Sequence, residues 1–286
     1  MRKVICLIAL WGPAAAAGLL GDISVEAQTW RTMTSARQVW DTAPMEVNIR
    51  YGAGTLTVGT AESPMLYQMD IRYDEEAFTP LAEYDEDERE LRLGVESIRG
   101  NRESFTMREG STATIRLGRE VPMDLDLEFG AGKAQIELGG IPLRGLELST
   151  GASETVVSFS EPNPVDAERI TIEAGAADLR VIGLGNTRAS RIEFHGGVGA
   201  TVLDFGGQWQ GSATASVDMG IGSVTLRLPR SHGIRLDRSS FLTSFTAPGL
   251  ERRGESYYSA NWGETSNQLT IDVSAAFGSI EIDWID

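Results

Sequence analysis

Cysteine is nearly missing: Cys6 is the one thiol in 286 residues, and it lies inside the apolar N-terminal stretch. Past that stretch, thiolate metal sites, cysteine nucleophiles and disulfides are excluded together, so a packed core must hold the fold. Histidine is almost as scarce, with only His195 and His232 available for general acid or base work. Basic charge is short as well. Lys and Arg number 25 against 41 Asp and Glu, a formal charge of −16. A chain so acidic is repelled by nucleic acid and by anionic membranes. After the first thirty residues no segment is long and apolar enough to cross a bilayer. What is present is ordinary for a folded protein: 41% hydrophobic and 23% charged residues exclude disorder for most of the chain.

The chain opens "MRKVICLIALWGPAAAAGLLGDISVEAQTW", with Arg2 and Lys3 before an apolar run and, at Val25-Glu26-Ala27, small or β-branched residues where a signal peptidase would look. This reads as a secretory signal spanning 1–27 and cleaved near Ala27. The alternative is an uncleaved anchor, against which stand the break at Gly12-Pro13 and the shortness of the run. Export to the periplasm or surface of a bacterium follows. Residues 28–44 read as a linker.

The rest is one pattern returning. "VNIRYGAGTLTV", "LEFGAGKAQIEL", "LELSTGASETVV", "ITIEAGAADLRV", "IEFHGGVGATVL", "SVDMGIGSVTLRL" and "IDVSAAFGSIEI" each place a small turn between two strands that alternate apolar and polar. The residues before the turn are Tyr51, Phe129, Thr150, Ala174, Gly196, Met219 and Ala275, and from 129 to 219 they are spaced by 21, 24, 22 and 23. That period is too short for a propeller blade or helical pair and fits one coil of a β-solenoid. Gaps of 78 residues before Phe129 and 56 before Ala275 leave room for degenerate coils or loops.

Period-2 alternation sorts inward from outward side chains. Val47, Ile49, Tyr51, Leu56 and Val58 face one way, as do Ile170, Ile172, Ala174, Leu179 and Val181. Between the turn positions stand Ala53, Ala131, Ala152, Ala176, Val198, Ile221 and Phe277, an apolar column read as a stacked inner corner. Glycines flank it: Gly52, Gly54, Gly130, Gly132, Gly151, Gly175, Gly197, Gly199, Gly220, Gly222 and Gly278, which let neighbouring coils approach closely. A phosphate loop is rejected, because its glycines must open a helix whereas strand residues such as "KAQIEL" follow here. A calcium roll is rejected too: Thr201 stands where its aspartate belongs.

The expectation is an all-β parallel β-solenoid, right-handed by default. Roughly ten coils at about 4.8 Å would make a rod near 50 Å long.

The stretch from "VPMDLDLEFGAGKAQIELGGIPLRGLELSTGAS" through "VIGLGNTRASRIEFHGGVGATVLDFGG" to "GIGSVTLRLPRSHGI" resembles the bacterial toast-rack family. Its members are β-solenoid envelope proteins, including domains of cell-wall-stress regulators related to LiaF and adhesin-like proteins of unknown function. "VNIRYGAGTLTVGTAESPMLYQMDIRYDEEAFTP" is similar to that family's N-terminal domain. The resemblance implies an N-terminal β domain over 45–120, a regular solenoid over 121–286 with a loop excursion at 245–268, and action through protein interaction at the envelope. The multi-span region of the stress regulators is lacking.

Candidate chemistry is thin. His195 falls in an outward column with Arg50, Glu128, Glu173 and Asp218, and His232 follows "LRLPRS" in a loop. No G-x-S-x-G supports a triad. The acidic run at 73–90 (Asp74, Glu75, Glu76, Asp85, Glu86, Asp87, Glu88) lacks the D-x-[DN]-x-[DN]-G spacing of a calcium loop and reads as a solvated hairpin tip. In "FTAPGLERRGESYYSANWGETS", residues 245–266, Arg252, Arg253, Tyr257, Tyr258 and Trp262 crowd together. They suit either a lid on the solenoid or a surface that stacks on sugars. Trp284 reads as an end cap. No enzyme, cofactor or metal is expected; the partner is a protein or an envelope glycan. Scaffolding leads, a carbohydrate module using the 245–266 loop is the alternative, and a periplasmic input domain for stress signalling is a third reading.

Overall fold

A computed structural model describes residues 29–98 and 110–286, so the signal at 1–27 lies outside the described residues. The described strands are β1 (Trp30–Gln38), β2 (Met45–Thr60), β3 (Met65–Asp74), β4 (Phe78–Asp85), β5 (Glu90–Ser97), β6 (Thr112–Leu117), β7 (Met123–Glu137), β8 (Leu143–Ser158), β9 (Ala167–Ile182), β10 (Ala189–Asp204), β11 (Ala213–Pro229), β12 (Gly233–Ser240), β13 (Thr243–Thr246), β14 (Glu251–Arg253), β15 (Ser256–Tyr258) and β16 (Gln268–Ile285). The long ones stack in parallel in the order β2-β7-β8-β9-β10-β11-β16. Each turns at its small-residue corner, so every level has two limbs.

The register follows the repeat. Tyr51 pairs with Phe129, Phe129 with Thr150, Thr150 with Ala174, Ala174 with Gly196, Gly196 with Met219 and Met219 with Ala275. All ten side chains read as inward in the first and fourth copies are buried. One continuous apolar core runs between the limbs, and each fully buried Leu, Ile, Val or Phe contributes about 1.5–3 kcal/mol. Tyr51 and Phe129 stack face to face at 6.2 Å, and the Tyr51 hydroxyl, 2.6 Å from Ser111 Oγ, is buried enough that its pKa is pushed up to about 12. The column then drops to Thr150, whose Oγ1 is buried with no partner among the described residues.

Asparagines organise the return loops. Asn163 Nδ2 donates to the carbonyls of Leu143 and Thr187 while its Oδ1 accepts from the amides of Leu143 and Val165. Asn186, in the 3-10 turn Leu184–Thr187, donates to Phe159 O and accepts from Gln208 N. Each ties its own loop to neighbouring levels, satisfying backbone groups that leave the ladder.

The two ends are built alike. The outermost level at one end is β5 and β6, laid parallel on the two limbs of β2; at the other it is β12 and β13, laid parallel on β16. Antiparallel strands then cover those edges: β4 on β5, β3 and then β1 on β6, β15 and then β14 on β12. Short or charged antiparallel cover suppresses edge-to-edge pairing. Nine levels result instead of ten, spanning about 38 Å, because the long gaps in the repeat spend residues on these covering strands.

Three expectations are corrected. Residues 28–44 are not a bare linker, since Trp30–Gln38 is a strand paired along its length with β3. The boundary at 120/121 does not divide the sheet: β2 pairs with β7 from Met45 to Val58 as a rung of the same stack. Beyond Ala53, which is buried, the column between the turn glycines is not an inner corner. Val198, Ile221 and Phe277 are 52%, 53% and 45% exposed. Inward positions run 125, 127, 129 before the corner and 134, 136, 138 after it. The phase slips there, and the residue at the bend is thrown to the convex side. The second glycine makes this possible, as at Gly222 with φ +143.

Candidate functional site

The bend residues form a line down the corner edge of the stack. Ala53 pairs with Ala131 and Ala131 with Ala152; Ala176 pairs with Val198, Val198 with Ile221 and Ile221 with Phe277. In the last level Ser240 lies opposite Ala275 and Thr243 opposite Gly278, which puts Leu242 opposite Phe277. Side-chain size therefore grows along the edge, from alanine to Val, Ile, Phe and Leu. Phe241 packs edge-on against Phe277 at 6.1 Å, and Phe241 and Leu242 are 66% and 71% exposed. Leu242 occupies the left-handed region, φ +43, and is thereby held out from the bend.

Charge along this edge is graded in the opposite sense. Beside the alanines stand Arg50 and Glu128, paired at 3.6 Å, Lys133 and Glu154, paired at 2.7 Å, then Glu173 and Asp178. Beside the large residues the positions after the corner become Ala200, Ser223, Ser279 and Ser244. Those before it are His195 and Asp218, 3.4 Å apart, and Ser274. The result is an apolar ridge in a nearly neutral setting on a protein of charge −16. Contiguous exposed apolar patches of this kind mark contact surfaces.

The 245–266 excursion forms the C-terminal cap and splits its predicted residues. Alternation along β15 sends Tyr257 inward, where its ring meets Phe245 at 4.9 Å beneath Arg238. Tyr258 faces the other way, with Trp262 5.8 Å from it and the Arg253 guanidinium 5.6 Å over its ring. Arg252 donates to Gly254 O and holds the β14–β15 turn. So Arg253, Tyr258 and Trp262 gather, while Arg252 and Tyr257 do not join them. Trp284 Nε1 donates to Pro248 O, and the indole lies in a groove of about 600 Å³ with Arg230, Asn261 and Asp283.

The histidines stay apart. His195 is on the exposed column; His232 is buried, its Nδ1 3.0 Å from Ser231 Oγ and its ring edge-on to Trp209. Burial alone pushes the His232 pKa below its ordinary value, keeping the ring neutral. In the acidic segment, Asp85–Glu88 sit at the exposed tip of the β4–β5 hairpin, and Arg37 and Arg31 reach Glu86 and Glu75. Among the described residues no group of three His, Cys, Asp or Glu is placed to hold a metal. Reading the sequence missed Phe241 and Leu242, because the last level carries no glycine pair; the apolar doublet within "RSSFLTS" was the available signal.

A family described as the N-terminal domain of toast_rack, DUF2154, matches residues 21–182 and again 167–227. The chain belongs to the toast-rack family. Together the two overlapping toast-rack matches run from residue 21 to 227. No curated protein matches the chain. Among solved structures, a candidate cell adhesion protein from Clostridium sporogenes ATCC 15579 is similar at 16% identity and TM-score 0.44, covering 89% of this chain and 100% of that one. A candidate adhesin from Bacteroides fragilis NCTC 9343 is similar at 11% and 0.40, covering 88% and 97%. A candidate lipid-binding protein from Parabacteroides distasonis ATCC 8503 is similar at 10% and 0.40, covering 90% and 97%.

Proposed function

We propose that this toast-rack chain is an exported envelope protein that works by contact, without catalysis, and that the corner edge is where contact is made. The apolar ridge of Val198, Ile221, Phe277, Leu242 and Phe241 carries this reading, because about half or more of each side chain is left in water in one contiguous line. Export is supported by the signal-like residues 1–27. The test is cell fractionation followed by incubation with isolated cell wall and envelope glycans, scoring both retention and low-mass products. Retention in the envelope fraction without products is expected. Product release that a single Asp or Glu substitution abolishes would overturn the reading.

The ring pair Tyr258 and Trp262 under Arg253 favours a second reading, glycan binding at the cap. A glycan array probed with wild type and with Tyr258→Ala/Trp262→Ala decides it: binding lost in a folded variant supports the cap, and binding unchanged removes it.

A further inference from the structure

We propose that the occupant of the corner edge is a second copy of this chain, lying side by side and antiparallel about a twofold axis between the β9 and β10 levels. This rests on the contact reading above and names its partner. Two gradients run along the same edge. The small half (Ala131, Ala152, Ala176) makes a flat strip, and the large half (Val198, Ile221, Phe277) makes a ridge, with equal steps from level to level because both belong to one parallel register. Rotated antiparallel, Val198 meets Ala176 of the other copy, Ile221 meets Ala152 and Phe277 meets Ala131, each contact occurring twice. An isologous contact of this kind is closed and self-complementary, unlike a head-to-tail one.

Charge selects the same arrangement. Parallel alignment about an axis along the stack would set Glu173 of each copy against Asp178 of the other, two like-charge contacts in a molecule already at −16. The antiparallel one keeps each side of the corner against the same side, so Glu128 meets Ser274, Ser149 meets Asp218, Glu173 meets His195, Glu154 meets Ser223 and Asp178 meets Ala200, with no like charges opposed. An anionic lipid surface is disfavoured by the same net charge, and it would make no use of the alanine half. Six bend positions give a seam about 24 Å long. That is small for a specific interface, so the dimer should be in exchange at micromolar concentration instead of permanent.

Sedimentation velocity and site-directed cross-linking of the full chain, carrying Cys6→Ser, test this. The sedimentation coefficient should rise with concentration, and Ile221→Ser/Phe277→Ser should abolish the rise while far-UV circular dichroism stays that of the wild type, the half-exposed side chains and the Phe241 contact costing a few degrees of melting temperature at most. In a mixture, Phe277→Cys chains should cross-link to Ala131→Cys chains, while Phe277→Cys alone should not: its two copies would stand five levels apart, about 24 Å, far beyond disulfide reach. Rapid cross-linking of Phe277→Cys to itself overturns the antiparallel seam. A wild type that stays monomeric throughout overturns self-association altogether. If that monomer is retained in the envelope fraction and the double serine variant is not, the contact reading stands with another occupant; if neither is retained, both fail.

Discussion

Changing Gly222 to alanine tests the physical basis of the stack. Gly222 lies at the β11 bend with φ +143, against Gly199 of β10, to which it is paired in register. A Cβ there would stand 1.8 Å from Gly199 O and 3.0 Å from Met219 Cε. To bring the first contact out to 3.0 Å the levels must part by 1.2 Å, at a level held on both sides by β10 and β16. Two penalties add. A side chain in this backbone region costs about 1–3 kcal/mol, and loosening two or so ladder hydrogen bonds costs about 0.5–1.5 kcal/mol each. The total of roughly 2–6 kcal/mol corresponds to a fall of about 5–20 °C in Tm for a chain of this size. Gly59→Ala is the control, because nothing lies within 4 Å of its Cβ; it should be neutral or stabilise by up to about 1 kcal/mol. Thermal unfolding followed by circular dichroism reads both. If Gly222→Ala melts within about 2 °C of Gly59→Ala, close backbone approach at the corner is not what the glycines are for.

Three further outcomes are expected. Thr150→Val removes a buried hydroxyl with no partner while keeping its shape, and should raise the urea midpoint by the equivalent of about 1 kcal/mol; a lower midpoint would reveal a bond to that oxygen. Asn163→Ala removes the partner of the Leu143 and Thr187 carbonyls and the Val165 amide, the Leu143 amide keeping its bond to Ile141 O, and should cost about 3 kcal/mol in the same assay, against under 1 kcal/mol for an exposed position such as Ser244→Ala. His232 has a folded pKa below the unfolded value of 6.5, so the unfolded chain binds the extra proton and stability is lost as pH falls below about 6.5. His232→Gln should flatten the Tm profile between pH 7.5 and about 5, and an unchanged slope would assign it to carboxylates.

The limbs were legible because alternation is local. Whether Leu127 or Glu128 faces the core depends only on which face of its own strand it occupies, and every residue read as inward on the limbs of β2 and β9 is buried. The corner was not legible for the same reason. Extrapolating alternation from Phe129 places Ala131 inward, yet the chain slips phase between 129 and 134, and the direction of the slip is set by how the two limbs wrap their shared core. The five cap residues show a like division: their crowding was visible, but alternation in β15 separates Tyr257 from Tyr258, and the strand itself exists only because β12 offers it an edge.

By itself, then, the amino-acid pattern determined a parallel all-β stack, the period of its levels, the inward face of each limb and the in-register columns, since each follows from spacing within one repeat. Only the tertiary structure decided that β12 and β13 lie outside β16 although they precede it in the chain, that β1 and β3 cover the other end, and that the bend residues face solvent as a graded ridge. Those outcomes depend on pairing between segments far apart in sequence and on the side toward which a strand bends, and neither is encoded in any single repeat.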